Sequence, residues 1–334
     1  MTEPSTDVGD MGVVAARRSF DLFPGTGDTT SAGSVMVAFA VNVLVAVAKT
    51  IAAALTASAS MLAEAAHSWA DCGNEVFLMI ANRRSRRAPD TRHPLGSGKE
   101  AYFWALFAAL GLLTAGGAVS VMRGVQELLD PATGVDFVVA YAVLALSFVL
   151  EAFSLTWSIR RSKREAASMH RDLLEHILAT SDPTLRAVVA EDAAALVGLI
   201  LASGGLVASE VTNSTVPDAI ASILIGVLLG VVALTLINRN RRFLIGEEVD
   251  PRVRGAALRE LLANPAIARV TYLRLEIVGP RAVLIIGDVD LTGDDVESIL
   301  SVRLRTLEST IRASPAVAGA VLSLSAPDEP SLVI

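Results

Sequence analysis

Six apolar segments of about 20 residues restrict the fold of this chain more than any other feature. They cover residues 34–55, 60–82, 102–126, 137–157, 185–208 and 219–237. Composition agrees, because 52% of the 334 residues are hydrophobic and only 19% are charged, whereas soluble domains have about 25% charged residues. The sequence therefore predicts an α-helical membrane protein with six transmembrane helices.

The basic residues between these segments predict how the helices are oriented. The connections at residues 57–59, 129–136 and 209–218 contain no Lys or Arg. The other connections and both flanks are basic, with Arg17, Arg18, Arg83, Arg84, Arg86, Arg87, Arg92, Lys99, Arg160, Arg161, Lys163, Arg164, Arg171, Arg239, Arg241 and Arg242. Because basic loops accumulate on the cytoplasmic side, both termini are predicted to be cytoplasmic.

The last part of the chain has the pattern of a soluble domain. A helix begins near Pro251, two strands flank the Gly279–Pro280 turn, and an amphipathic helix and a final strand follow. This α-β-β-α-β order predicts a cytoplasmic α+β domain of the ferredoxin-like type. The chain is thus predicted to contain a largely disordered tail (1–33), a six-helix transmembrane domain (34–245) and a cytoplasmic domain (246–334).

Charge and cysteine content exclude two classes of protein. The net charge of −7 and the pI near 5.2 argue against a nucleic-acid-binding protein, which needs a concentrated basic face. The single cysteine, Cys72, excludes an internal disulfide and any Cys-cluster metal site.

The second apolar segment carries ionisable residues that a membrane helix would ordinarily avoid. Glu64, His67, Asp71 and Glu75 are spaced by three or four residues and therefore share one face of a helix. Each charged group at the centre of a membrane costs about 2.5–3.5 kcal/mol, so such groups mark ion or substrate paths. His67 and Asp71, four residues apart, suit Zn²⁺ and also Mn²⁺, Fe²⁺ or Co²⁺. The alternative is a His–Asp hydrogen bond that only satisfies two buried groups.

The fifth apolar segment carries a second acidic cluster, Glu191 and Asp192, with no compensating basic residue after Arg186. Carboxylates at membrane depth need a cation, a proton or a distant basic partner. Lys49 in the first segment is the basic partner available, either to this pair or to Glu151 in the fourth. Two clusters together favour a cation site between the second and fifth helices.

Several stretches resemble the cation diffusion facilitator family. They are "SASMLAEAAHSWADCGNE", "RSRRAPDTRHPLGSGKEAYFWAL", and "PDAIASILIGVLLG" followed by "LIGE". The segment "SDPTLRAVVAEDAAALVG" is similar to the ZnT9-like branch of that family. The resemblance implies a homodimeric secondary transporter of divalent metals, mostly zinc, that is driven by proton exchange, with the C-terminal domain as the dimerisation module.

The resemblance also implies which residues bind metal. His67 and Asp71 match one half of the transport site, and Asp192 matches the other half. The usual upstream ligand of the fifth helix falls on Val188, so either Glu191 supplies the missing ligand or the ion keeps a water. Asp90 and His93 match part of a second zinc site, whose other histidine corresponds to Ser97 here; the alternative is that they order the loop.

These observations predict a transporter and not an enzyme. We expect it to reside in the cell membrane, to bind no prosthetic group, and to export Zn²⁺ from the cytoplasm in exchange for protons. Mn²⁺, Fe²⁺ or Co²⁺ is the alternative cargo. A metal-sensing membrane protein and an intramembrane metalloenzyme are less favoured, since the sequence has no His-Glu-x-x-His motif and its remaining histidines, His93, His170 and His176, lie in predicted loops.

Overall fold

A computed structural model describes residue 22 and residues 32–131, 137–168 and 172–333. Most of the predicted N-terminal tail and His170 lie outside the described residues. The helices and strands, in chain order, are α1 (Ala32–Thr56), α2 (Ala59–Ser85), α3 (Glu100–Gly111), a π-helical segment (Leu112–Ala118), α4 (Val119–Leu129), α5 (Phe137–Ser168), α6 (Leu173–Ala179), α7 (Pro183–Thr212), α8 (Val216–Ile245), α9 (Pro251–Leu262), β1 (Ile267–Gly279), β2 (Ala282–Leu291), α10 (Glu297–Arg312) and β3 (Val317–Leu324).

Five helices in the described part of the chain are long and apolar enough to cross a membrane. They contain the stretches Phe39–Thr56, Glu100–Leu129, Val138–Ala167, Pro183–Thr212 and Val216–Ile245. The helix α2 has 27 residues but carries the acidic stripe and Arg83 and Arg84, so its composition is less apolar. It packs against α1, α3, α7 and α8. The acidic face of α2 is therefore covered by neighbouring helices.

The fourth predicted segment is longer in the structure than the sequence pattern indicated. It was predicted to end at Trp157, but α5 continues to Ser168 through residues that favour helices, such as Arg, Lys, Glu and Ala. His176, predicted to lie in a loop, belongs to the short helix α6 and is 1% exposed. The helix therefore does not end where the sequence stops being apolar, after Trp157.

Glycines let the π-helical segment and α8 approach closely. A Cβ on Gly226 would lie 2.7 Å from the carbonyl oxygen of Gly117, and one on Gly117 would lie 3.2 Å from the carbonyl oxygen of Gly226. Close backbone approach of this kind is typical of small residues in membrane helices. Gly117 and Gly226 therefore serve the packing of these two helical segments.

A buried carboxylate fixes the beginning of α2. Asp218 in the first turn of α8 accepts hydrogen bonds from the Ser58 hydroxyl (2.8 Å), the Ala59 N–H (2.7 Å) and the Ser60 hydroxyl. Ser58 is the N-cap of α2, and its hydroxyl also accepts from the Met61 N–H. A carboxylate at a helix N-terminus satisfies amide groups that the helix leaves unpaired. Asp218 therefore holds one end of α2 against α8.

The C-terminal domain is a three-stranded sheet in the order β1-β2-β3, with β1 and β2 antiparallel and β3 parallel to β2. Its helices pack on the outer strands, with α9 on β1 and α10 on β3. Leu261, Leu275 and Ile285 are almost fully buried in its core. A ferredoxin-like domain has a further strand before its first helix. In this protein the described residues just before α9 form no strand; they make one isolated antiparallel bridge, between Glu248 and Glu276.

The turn between β1 and β2 contacts the membrane helices. Gly279 lies against Gly98, which precedes α3, and the Arg281 N–H donates to the Ser181 hydroxyl at 3.1 Å. The Tyr102 hydroxyl donates to the Ser181 carbonyl oxygen at 2.9 Å. The contact between the two glycines leaves no room for a side chain, because a Cβ on Gly98 would lie 2.6 Å from the carbonyl oxygen of Val278.

We expect Gly98→Ala to lower the free energy of unfolding by about 1–3 kcal/mol, because the added methyl group meets backbone that cannot rotate away. Thermal unfolding of the purified protein in detergent measures this. Gly111→Ala is the matched control, since a Cβ at Gly111 meets nothing within 4 Å. Equal stability of the two variants would contradict the close contact between Gly98 and the β1–β2 turn.

Candidate metal centre

The centre of the acidic face of α2 is a buried imidazole beside a carboxylate. His67 is fully buried, and its Nδ1 lies 3.5 Å from Oδ1 of Asp71, one helical turn later. Among the described residues, neither ring nitrogen of His67 has a hydrogen-bond partner, and the same is true of Asp71 Oδ1. Buried polar atoms are nearly always hydrogen-bonded, so atoms left without a partner in the protein mark a place for a water or an ion. This is the pair that the sequence predicted as the first half of a metal site.

The two outer acidic residues of the stripe are paired with α1. The Lys49 ammonium lies 2.9 Å from Glu64 Oε2, and both side chains are fully buried. The Asn42 amide donates to Glu75 Oε1 at 2.6 Å. Lys49 therefore compensates Glu64, whereas the alternative account from the sequence paired it with Glu151 or with one acid of the fifth segment. The His67 ring and Asp71 lie between these two contacts.

The helix α7 contacts the same face of α2 at two places. At one place the Asn74 amide donates to Glu191 Oε2. At the other, Glu64 Oε1 lies next to Gly198, since a Cβ on that glycine would be 2.5 Å from it. Glu64 and Asn74 are about 15 Å apart along α2, at 1.5 Å per residue. His67 and Asp71 therefore lie between the two contacts, and Glu191 faces them from the neighbouring helix.

Asp192 faces another helix. Its Oδ2 accepts hydrogen bonds from the hydroxyls of Ser154 (2.9 Å) and Ser158 (3.3 Å) on α5. Successive residues of a helix point about 100° apart, so Glu191 and Asp192 leave α7 in different directions, Glu191 towards Asn74 of α2 and Asp192 towards the serines of α5. In residues 32–131, 137–168 and 172–333, no three His, Cys, Asp or Glu side chains form a group that could hold a metal ion. The structure thus pairs His67 with Asp71, but it does not gather the four predicted ligands.

Further buried oxygen atoms of α2 and α7 also lack hydrogen-bond partners in the described part of the chain. They are Glu64 Oε1, Ser68 Oγ, Asn74 Oδ1, Glu75 Oε2 and Glu191 Oε1. Carboxylate and amide oxygens with an imidazole nitrogen are ligands for borderline divalent cations. These donor types are the ones that a cation site uses, and Val188, which packs in an apolar cluster, supplies none.

Asp90 and His93 shape the loop between α2 and α3. Asp90 Oδ1 accepts the N–H of His93 at 2.6 Å and that of Arg92 at 2.8 Å, and His93 Nδ1 lies 3.1 Å away. The hydrogen bonds from the His93 and Arg92 backbone lower the pKa of Asp90 below its usual value. Both side chains are exposed. The geometry accounts for Asp90 as a turn residue, and its role in a second metal site stays a prediction.

Sequence reasoning overlooked Asn42 and Asn74. Asn74 lies three residues after Asp71, on the same face of α2, and this spacing could have identified it. Asn42 lies seven residues before Lys49, two turns of α1 away, so both face α2. These amides donate to the Glu75 and Glu191 carboxylates and so compensate part of their burial.

Known proteins resemble this chain along the whole of its membrane domain. The family model described as the cation efflux transmembrane domain matches residues 35–245. The chain belongs to the cation efflux family. Membership of this family, also called the cation diffusion facilitators, makes the protein a membrane transporter rather than an enzyme. The metalloenzyme alternative is therefore excluded.

Curated relatives place this cation efflux protein near the ZnT9-like branch. It is 35% identical over 235 residues to metal tolerance protein C4 of Arabidopsis thaliana, covering 70% of this chain and 51% of that protein. It is 32% identical over 260 residues to the mitochondrial proton-coupled zinc antiporter SLC30A9 of Xenopus laevis, and 31% identical to the Homo sapiens protein of that name. The match to both SLC30A9 proteins covers 78% of this chain and 46% of theirs, so the chain spans about half the length of these relatives.

We expect Asn74→Leu to destabilise the protein by about 1–3 kcal/mol, because it leaves the buried Glu191 carboxylate without its donor. The melting temperature in detergent measures the effect. Asn82→Leu on the same helix is the matched control, since Asn82 is exposed and a surface change costs within about 0.5 kcal/mol. Two variants of equal melting temperature would show that the contact between α2 and α7 contributes nothing.

Proposed function

We propose that this protein exports a divalent cation, with Zn²⁺ as its main cargo, from the cytoplasm in exchange for protons. The observation that carries the proposal is the buried imidazole of His67, whose two nitrogens lack partners among the described residues and which lies 3.5 Å from the Asp71 carboxylate. A neutral imidazole and a carboxylate are ligands that zinc accepts, and both must be deprotonated to hold it. The name of the SLC30A9 relatives, proton-coupled zinc antiporter, agrees with this cargo and this coupling.

Proton coupling follows from the chemistry of these ligands. Protons that reach His67 and Asp71 from the far side of the membrane compete with the metal for the same atoms and expel it. Loss of a proton on the cytoplasmic side restores the ligands. Each cycle therefore moves metal outward and protons inward through one site.

The second half of the site comes from α7. Glu191 faces α2 and has one oxygen without a partner in the described part of the chain, so it is the ligand that replaces the family's usual one at Val188. Asp192 would join only if α7 rotates away from the serines of α5. In this proposal the ion is held by His67, Asp71 and Glu191, with Asp192 or a water completing the set. Because these side chains do not form a metal-binding group among the described residues, α7 must move towards α2 when the ion binds.

Alternating access requires one group of helices to move against another. The π-helical segment and α8 are joined by the close contact of Gly117 with Gly226, which makes α3, α4 and α8 a rigid unit. The helices α1, α2, α5 and α7 carry the polar residues of the site. These four would move together against the glycine-packed unit.

The orientation rests on α2 as the sixth membrane crossing. Its 27 residues extend about 40 Å, enough to cross the hydrocarbon layer beside α1 and α7. Six crossings place both termini on one side, and the basic loops place that side in the cytoplasm. The protein would then lie in the cell membrane with its C-terminal domain in the cytoplasm.

We expect His67→Ala and Asp71→Ala to abolish metal-driven proton flux in proteoliposomes, because each removes one ligand of the central pair. Stopped-flow measurements with metal and pH dyes, under an imposed pH gradient, would follow Zn²⁺, Mn²⁺, Fe²⁺ and Co²⁺ side by side. Cys72→Ala is the matched control, since Cys72 is buried beside Asp71 and serves packing.

Three results would contradict parts of this proposal. Wild-type flux in either ligand variant would refute the site. Metal binding without uptake by the wild-type protein would favour a metal-sensing protein. Faster movement of Mn²⁺, Fe²⁺ or Co²⁺ than of Zn²⁺ would change the cargo but leave the mechanism.

The protein is proposed to function as a homodimer joined through its C-terminal domain. Val296, Ile299 and Val302 form an exposed apolar row at α10, with exposures of 65%, 50% and 63%. Such a row on a domain surface is typical of a contact with another protein chain. A second copy of the chain would cover it.

We expect Ile299→Glu to shift the purified protein from dimer towards monomer, because a charge would be buried between the two copies. Light scattering coupled to size-exclusion chromatography measures the mass. Ser298→Glu, one residue away and off the apolar row, is the control. An unchanged dimer in Ile299→Glu would show that the contact lies elsewhere.

A further inference from the structure

A buried ion pair borders the proposed transport site without belonging to its ligands. Lys49 and Glu64 are both fully buried, and their charged atoms are 2.9 Å apart. Glu64 lies three residues before His67 on α2, so the two side chains are helical neighbours with Cβ atoms about 5–6 Å apart. The Glu64 carboxylate is therefore within reach of an ion bound to His67.

Two neighbours define where the Glu64 carboxylate lies. Its Oε2 is bound to the Lys49 ammonium, and its Oε1 is pressed against Gly198 of α7. A Cβ on Gly198 would lie 2.5 Å from Oε1, so a side chain at that position would displace the Glu64 carboxylate from where it lies. The negative charges of Glu151 and Asp71 also act on Lys49, so the ammonium sits in an acidic surrounding.

The number of carboxylates around an ion decides which metal it favours. One imidazole with few carboxylates suits Zn²⁺, whereas a site with more carboxylate oxygens suits Mn²⁺. An ammonium group fixed beside the site binds one carboxylate and so removes it from the set of metal ligands. Its positive charge compensates that carboxylate, as a second metal ion otherwise would. Lys49 is thus placed to control the ligand count.

We propose that Lys49 is a specificity-determining residue that keeps Glu64 out of the ligand set and so favours Zn²⁺ over Mn²⁺. This inference rests on the proposed function, because it requires cargo at His67 and Asp71. Lys49 acts through Glu64 and touches no metal. Gly198 supports the arrangement by giving the carboxylate a place away from the ion.

Metal binding to the purified protein in detergent tests this proposal. The Kd values for Zn²⁺ and Mn²⁺ come from competition with a fluorescent chelator, and their ratio is compared between variants. Lys49→Met removes the charge at similar volume and frees Glu64, so we expect affinity for Mn²⁺ relative to Zn²⁺ to rise about 10- to 100-fold, a range typical of changes next to metal ligands. Glu64→Gln and the double variant Lys49→Met/Glu64→Gln should keep the wild-type ratio.

The same group of variants includes the controls for correct folding. Lys49→Arg keeps the charge and should keep the wild-type ratio. If Lys49→Met does not fold, Lys49→Leu replaces it, because leucine also removes both the charge and the donor to Glu64. Size-exclusion profiles and melting temperatures identify folded variants. A merely structural ion pair would change melting temperatures across the set without changing the ratio of the two Kd values.

The outcomes separate this proposal from the transport function. A wild-type ratio in the folded Lys49→Met or Lys49→Leu variant overturns it, as does a changed ratio of the two Kd values in Glu64→Gln, which would make Glu64 a ligand. Absence of flux in wild-type proteoliposomes overturns transport but leaves the binding ratio as a test of Lys49. A wild-type protein that binds neither metal overturns both.

Discussion

The structure depends on how the buried polar groups of α2 are compensated. Lys49 neutralises Glu64, and Asn42 and Asn74 donate to Glu75 and Glu191. A buried charge without a partner at membrane depth would cost more free energy than helix packing contributes. These contacts therefore fix the positions of α1 and α7 against α2. His67 and Asp71, which lie between them, remain available to an ion.

The sequence located the elements well wherever apolar length was the signal. The five helices that the structure shows to be long and apolar enough to cross a membrane coincide with predicted segments, and the strands on either side of Gly279 lie where the pattern placed them. The prediction failed beyond Trp157, where α5 continues through a basic stretch. Hydropathy reports where a helix meets lipid, whereas hydrogen bonding and propensity decide where the helix ends.

The candidate site was predicted in part. Helical spacing identified His67 and Asp71, because a period of 3.6 residues places them on one face. The same spacing separates Glu191 from Asp192, and in the structure only Glu191 faces α2. The partner of Lys49 could not be deduced, since several acidic residues on other segments were candidates. Distances between helices, which no local pattern encodes, made that choice.

The sequence by itself determined a cation efflux protein with apolar helices, a C-terminal α+β domain and a His–Asp pair inside the membrane region. The helices, the domain and the pair follow from hydropathy and from local periodicity, whereas the family follows from the motifs that resemble it. Only the tertiary structure decided that Lys49 binds Glu64, that Gly198 makes room for it, and that Asp192 faces α5. The physical reason is that the rotation of each helix about its axis is set by packing against its neighbours, and that rotation decides which of several similar carboxylates meet.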